Sequence, residues 1–312
     1  MRIIVALGGN AIARRGESIT VAHQLANLRV VASRLTTVAG EHELVITHGN
    51  GPQVGLLALQ GAAAEELAYP LDVLGAETQG MIGYFIEIEL RHVLPLDQKV
   101  TTVLTLVEVA RDDPAFGDPT KFIGPVYTSE QAQALAAERG WTFRMDGPAP
   151  RRVVASPAPR RIVQIDSVLQ LLRAHHIVIC AGGGGVPMAR DADGHLSGVE
   201  AVVDKDASSA VLAAAIDADV FVMATDADAV YLDWGTSSQR AIRRISAARL
   251  AEHDFAAGSM GPKVAAAIAF AQASGSRAVI GKLDDIEMML TGAAGTVVEA
   301  GDVPTEFYPA SA

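Results

Sequence analysis

The chain has 312 residues, 50% of them hydrophobic, which is enough apolar material for one large core. Its formal net charge is −11, with no basic tail or stripe. That excludes a nucleic-acid partner and requires any anionic ligand to be held by local groups rather than by the overall field.

Arg2–Leu7 reads as a strand. Its start at the second residue leaves no room for a signal peptide, so a cytoplasmic location is expected. Ala22–Ala39 has apolar residues at helical spacing, and Glu43–Thr47 is the next strand. Pro52 stands at a first helical position, and the helical pattern runs on to about Leu67. Asp72–Leu94 is a longer helix with a broad apolar face that serves either the core or a subunit interface. Lys99–Val107 reads as a strand.

The rhythm then breaks. Residues 110–161 hold Pro114, Pro119, Pro125, Pro148, Pro150, Pro157 and Pro159, half of the chain's 14 prolines. A short helix, Ser129–Arg139, and small strands at Trp141–Met145 and Arg152–Val154 are expected there, forming an inserted flap subdomain. Alternation resumes with helix Asp166–His175 and strand Ile177–Ala181, then a hairpin at Pro187–Val199. Helix Ala207–Ile216, strand Asp219–Ala224, helices Ser246–Glu252 and Pro262–Ser274, and strands Ala278–Ile280 and Thr296–Glu299 complete the order. Such alternation predicts a mostly parallel sheet covered by helices on both faces, in one domain spanning 1–312. No run of about 18 apolar residues is present, so no membrane span is expected. The lone Cys180 excludes a disulfide framework within the chain and reads as a buried, inert thiol.

Three glycine-rich turns each follow a short apolar strand: Gly8-Gly9-Asn10, Gly49-Asn50-Gly51 and Gly182-Gly183-Gly184. Glycine lets the backbone approach a ligand closely, and turns at strand carboxyl ends hold phosphates in α/β proteins. Three together predict a polyphosphate. They match neither of two familiar cradles. The pattern G-x-x-x-x-G-K-[ST] is absent, and in G-x-G-x-x-G counted from Gly182 or Gly183 the third glycine falls on Pro187 or Met188.

Only five of the 25 basic residues are lysine: Lys99, Lys121, Lys205, Lys263 and Lys282. Lysine is a compact point charge suited to a single phosphoryl oxygen, whereas arginine is a planar fork. Lys205 lies between Asp204 and Asp206 at a helix start, where Asp206 either caps the helix or keeps converging ammonium groups charged and oriented. Lys263 opposes the dipole in the first turn of its helix, a penalty that a bound anion removes. Lys121, in Asp118-Pro119-Thr120-Lys121, reads as a lid cation. Thr225, Asp226 and Asp228 form an acid-rich turn that holds a ribose or a metal-bound water, or caps the next element. His48 and the His175-His176 pair have no spacing partner, so no protein metal site is expected.

Taken together, ALGGNAI (6–12), THGNGPQVG (47–55), TQGMIGY (78–84), DPTKFIGPV (118–126), RRVVASPAP (151–159), CAGGGGVPM (180–188), GVEAVVDKDASSAVLA (198–213), TDADAVY (225–231) and GSMGPKVAAA (258–267) resemble the carbamate kinases, a branch of the amino acid kinase family. The resemblance implies a three-layer α/β/α sandwich around a mainly parallel sheet of about eight strands, a homodimer, and ATP or ADP with Mg²⁺. It also implies that Gly8, Gly9, Asn10, Gly49, Asn50 and Gly51 line the phosphoryl-transfer centre. Lys121, Lys205 and Lys263 then contact phosphates, Asp206 orients lysines, and Asp226–Tyr231, including Val230, lies along the nucleotide with Met260. Carbamate is already an anion, so its transfer chemistry needs placement and charge neutralisation rather than a general base. Another acylphosphate-forming amino acid kinase, or an inactive nucleotide sensor of the same fold, are the alternatives. Two departures fall in the flap: Asp146-Gly147-Pro148-Ala149-Pro150 lacks the usual aromatic, and Ala155 replaces a usual proline.

Overall fold

A computed structural model describes residues 1–14, 16–63, 69–256 and 259–309. Alternation along the strands decides the architecture. In Arg2–Leu7, Ile4 and Ala6 enter one buried cluster while Ile3, Val5 and Leu7 enter another. Val220–Thr225 divides the same way, with Phe221 and Met223 on one side and Val220, Val222 and Ala224 on the other. A strand buried on both faces needs a helical layer on each. Helices Ile165–Arg173, Lys205–Ala215 and Met260–Ser274 supply one layer; Val21–Glu41, Leu71–Val93 and Ile286–Thr291 supply the other. The result is an α/β/α sandwich.

Six strands run parallel through the centre, in the order Arg277–Lys282, Val220–Thr225, Arg2–Leu7, Glu43–His48, His176–Ile179 and Lys99–Thr102. Their carboxyl ends therefore share one edge, the place where open α/β sheets bind ligands. Beyond Arg277–Lys282 come Thr296–Glu299 and Arg240–Ser246, the latter flanked by Val230–Leu232 and Glu306–Phe307. Ten strands result, against about eight expected. Val230–Leu232 and Glu306–Phe307 are short edge segments, and Arg240–Ser246, though paired on both sides, carries three arginines and so lacks the apolar run that marks a central strand.

The single strand expected over Lys99–Val107 is two. Lys99–Thr102 ends the main sheet, and Leu106–Val109 enters a four-stranded sheet with Val186–Arg190, Leu196–Gly198 and Pro159–Ile162. The break is held from outside the strand. Gln79 accepts from the Thr105 N–H at 3.0 Å, which removes that donor from any ladder, and donates at 2.9 Å to the Thr105 carbonyl, which also accepts the Val186 N–H at 2.8 Å and so begins the pairing of the second sheet.

Within the proline-rich stretch, Lys121–Val126, Thr142–Asp146 and Ala149–Val154 form a three-stranded sheet backed by helix Ser129–Arg139. The Arg152 guanidinium lies 3.8 Å from the Trp141 ring centroid, and burial pushes its pKa down to about 10. This sheet docks on helix Gly51–Ala63 through bare backbone: a Cβ on Gly55 would lie 1.9 Å from the Gly124 Cα. The helical pattern expected beyond Ala63 to Leu67 lies outside the described residues. Among the described residues, no helix is long and apolar enough to cross a membrane. Cys180 is buried, and burial pushes its thiol up to about 12.

Candidate active site

The first two glycine turns are neighbours because their strands are. Gly8 donates its N–H to the Ala224 carbonyl and Gly49 donates to the Leu7 carbonyl, each at 3.2 Å. A Cβ on Gly49 would sit 3.4 Å from the Gly9 nitrogen and 4.0 Å from the Lys205 Cδ, so both turns and this lysine's stem converge. Gly51 opens helix Gly51–Ala63, whose first N–H groups have no intrahelical carbonyl to bond and face the same edge.

The third turn stands behind the second. Gly182, Gly183 and Gly184 are buried, and their missing Cβ atoms leave space for His48 Nε2, Asn50 Nδ2 and the Val203 carbonyl, which a Cβ would meet at 2.3, 2.1 and 2.4 Å. Gly183 and Gly184 also have φ of 63° and 91°, in the left-handed region. Gly182 and Gly183 pack on the second turn itself. Asn50 Nδ2 donates to Thr78 Oγ1 at 2.9 Å, and His48 Nδ1 lies 3.1 Å from the Gly49 carbonyl. Burial pushes the His48 pKa down to about 4, a shift to which the Lys205 charge adds, so this histidine is neutral at physiological pH.

Asp204, rather than Asp206, caps helix Lys205–Ala215, which corrects the capping role allowed for Asp206. Its Oδ1 accepts from the N–H groups of Asp206 at 2.9 Å and Ala207 at 3.1 Å. Its other oxygen accepts from Lys121 Nζ at 2.5 Å. The Asp206 carboxylate is thereby left free for side chains, and it holds two further lysines: Lys205 Nζ donates to Oδ1 at 2.5 Å and Lys263 Nζ to Oδ2 at 3.1 Å. Lys205 and Asp206 are 8% and 4% exposed, so this is an interior ion cluster. Burial alone would raise the Asp206 pKa, but Lys205 and then Lys263 hold it well below the usual carboxylate range. Asp204 is likewise lowered: burial and the repulsion of Asp206 push it up, but Lys121 and the Ala207 N–H together outweigh them. Burial pushes Lys205 below its ordinary value although Asp206 pulls the other way. Three ammonium groups on two carboxylates leave one net positive charge beside the glycine turns.

A cavity of about 1460 Å³ opens from this cluster along the carboxyl edge of the sheet. Gly8, Gly9, Asn10, Thr225, Asp226, Tyr231, Met260 and Lys263 are among its lining residues. Lys263 thus joins cavity and cluster. The Asn10 side-chain amide donates to the Asp226 carboxylate, tying two strand ends together. Asp228 and Val230 do not line it. Asp228 accepts from the Tyr231 hydroxyl at 3.1 Å, while Val230 is buried with its N–H on Thr296 Oγ1 at 2.8 Å. Gly258, in the expected GSMGPK segment, lies outside the described residues.

The sequence reading left out Asp204 as the partner of Lys121, the supports His48, Thr78 and Gln79, and Trp234. The Trp234 ring lies 4.8 Å from that of Tyr231 on the cavity wall. An Asp one residue before a helix is a cap signal that identifies Asp204; Gln79 and Trp234 carry no such local sign.

The fold, the paired glycine turns and the lysine–aspartate cluster define a phosphoryl-transfer protein, and the chain belongs to the amino acid kinase family, whose sequence profile matches residues 1–282. It is 54% identical over 309 residues to the carbamate kinase of Haemophilus influenzae, covering 99% of this chain and 100% of that one. It is 52% identical over 303 residues to the carbamate kinase of Rhizobium meliloti, covering 96% and 94%. The solved carbamate kinase from Giardia lamblia bound to AMP-PNP superposes with a TM-score of 0.87 at 35% identity, covering 96% of this chain and 98% of that one.

Proposed function

We propose that this chain is a carbamate kinase, moving a phosphoryl group reversibly between ATP and carbamate to give ADP and carbamoyl phosphate. The observation that carries the reading is the Asp206 carboxylate gripping Lys205 and Lys263 beside two glycine turns, with Lys121 brought in from the flap onto Asp204. The nucleotide lies in the 1460 Å³ cavity with its base toward Tyr231 and Met260 and its terminal phosphate between the turns of Gly8, Gly9, Asn10 and of Gly49, Asn50, Gly51. Gly182 and Gly183 act from behind, giving His48 and Asn50 the room that shapes the second turn, and Gly184 makes room for the Val203 carbonyl.

A carbamate oxygen attacks the terminal phosphorus in line, and ADP departs from the opposite side. Carbamate arrives ionised, so no side chain need remove a proton. Asp206 is unsuited to that task anyway, because two ammonium groups hold it ionised. Lys205 and Lys263 neutralise charge on the transferring group, and Asp206 fixes their positions before substrate binds, so little reorganisation is needed during reaction. Lys121 completes the cage when the flap is seated. Thr225 and Asp226, hard oxygen donors lining the cavity, would hold a Mg²⁺ ion brought with the nucleotide, which would offset phosphate charge there. The reading further makes the protein a cytoplasmic homodimer associating through helix Leu71–Val93, where Tyr84 stands 57% exposed.

The test is ATP formation from ADP and carbamoyl phosphate, with N-acetylglutamate and aspartate offered to ATP as rival acceptors. Lys205→Ala is expected to abolish turnover while ADP still binds. Turnover with a rival acceptor alone, or near-normal turnover in that variant, would refute the assignment.

A further inference from the structure

Of the five lysines, three form the Asp204–Asp206 cluster. Lys99 Nζ lies 3.5 Å from the Ala174 carbonyl, at the far end of the sheet. Lys282 remains. It is the last residue of strand Arg277–Lys282, exposed, and on the wall of the large cavity. Among the described residues it has no hydrogen bond and no ion pair, and neighbouring Asp284 is engaged by Arg34 at 3.0 Å.

Its position follows from register and parity. Lys282 pairs with Thr225, and the residue before Thr225, Ala224, pairs with Leu7 and accepts from the Gly8 N–H. Lys282, Thr225 and Gly8 thus form a row across three consecutive parallel strand ends. Side chains alternate along a strand, and Ala278 and Ile280 face the layer that contains helix Met260–Ser274. Lys282 shares their parity, so it leaves the sheet on the same face as Lys263. Two strand spacings separate it from Gly8, about 10 Å, a length that a nucleotide spans between its terminal phosphate and its ribose.

We propose that Lys282 is a nucleotide-binding residue whose ammonium group contacts the inner, non-transferred phosphate. The inference rests on the kinase reading and extends it: Lys205 and Lys263 serve the transferring end, and Lys282 holds the part that stays on the nucleotide in both directions. Such a contact stabilises ground state and transition state alike, so it acts on affinity rather than on turnover.

The experiment compares the full-length parent with Lys282→Ala and Lys282→Arg. In ATP formation, Lys282→Ala should raise KM for ADP about ten-fold, the loss of one charge-assisted hydrogen bond, with kcat and KM for carbamoyl phosphate unchanged; Lys282→Arg should recover most of the loss. Calorimetric titration should show the same drop in affinity for ADP and none for adenosine. An unchanged ADP affinity in Lys282→Ala, or an equal loss for adenosine, overturns the proposal. A parent enzyme that makes no ATP would refute the kinase reading instead, and the ADP and adenosine titrations would still decide the role of Lys282.

Discussion

Replacing Asp206 with asparagine keeps the shape of the side chain and removes the charge that separates two buried ammonium groups. In the parent, Lys205 and Lys263 lie 2.5 and 3.1 Å from the two carboxylate oxygens. Without that charge, two unit positive charges about 5 Å apart repel by about 3 kcal/mol at an effective dielectric near 20. Loss of one partner from a buried ion pair typically costs about 3–5 kcal/mol, which agrees. At roughly 2 °C per kcal/mol for a chain of this size, Asp206→Asn should lower Tm by about 6–10 °C. Turnover should fall by about 10²–10³, because the cations are no longer aimed. The deficit should also depend on pH. Lys205 already has a lowered folded pKa, so the unfolded chain binds more protons between that value and about 10.5, and stability rises with pH across this window. Losing Asp206 lowers Lys205 further and steepens that rise, so the Tm gap between variant and parent should narrow from pH 7 to 10. Thermal melts at several pH values with parallel assays of ATP formation test this. A variant with the parent's Tm and kcat, or a gap that widens toward pH 10, would show that the cluster does not work by charge pairing.

Three further outcomes are expected. Lys121→Ala removes a partly exposed ion pair, so Tm should change by no more than the equivalent of about 1 kcal/mol, while kcat/KM for carbamoyl phosphate falls by about 10²; a parental kcat/KM would remove Lys121 from the site. Gly55→Ala places a methyl 1.9 Å from the Gly124 Cα and should lift the flap from helix Gly51–Ala63, seen as faster proteolysis within residues 110–161 and a lowered Tm; unchanged cleavage would contradict the close docking. His48, buried and neutral with its pKa lowered to about 4, contributes stability that is complete above about 6.5 and lost as pH falls through 4. A His48→Gln variant should therefore lose less stability than the parent between pH 6.5 and 4 in urea titrations, and identical losses would refute the assignment.

Much of the architecture is legible because it is written locally. Continuous apolar runs in Arg2–Leu7 and Val220–Thr225, and helical spacing between them, call for a sheet covered on both faces without reference to any distant residue. The glycine turns are equally plain, since a tight turn at a strand end restricts residue type at that position. The edge strands Val230–Leu232 and Glu306–Phe307 leave no such mark: three and two residues long, they exist because a neighbouring edge offers unpaired backbone groups. The split at Thr105 likewise depends on Gln79, 26 residues earlier.

By itself the sequence determined the strand–helix alternation, the turns, and the few lysines and aspartates able to handle phosphate. Tertiary structure decided what each of them meets. Lys121 reaches Asp204 across 83 residues and Lys263 reaches Asp206 across 57, while Gly182 and Gly183, alike in sequence to the other turns, back the second one. Backbone geometry and hydrophobic period act between near neighbours in the chain, whereas the meeting of charges depends on which strand ends the sheet sets side by side.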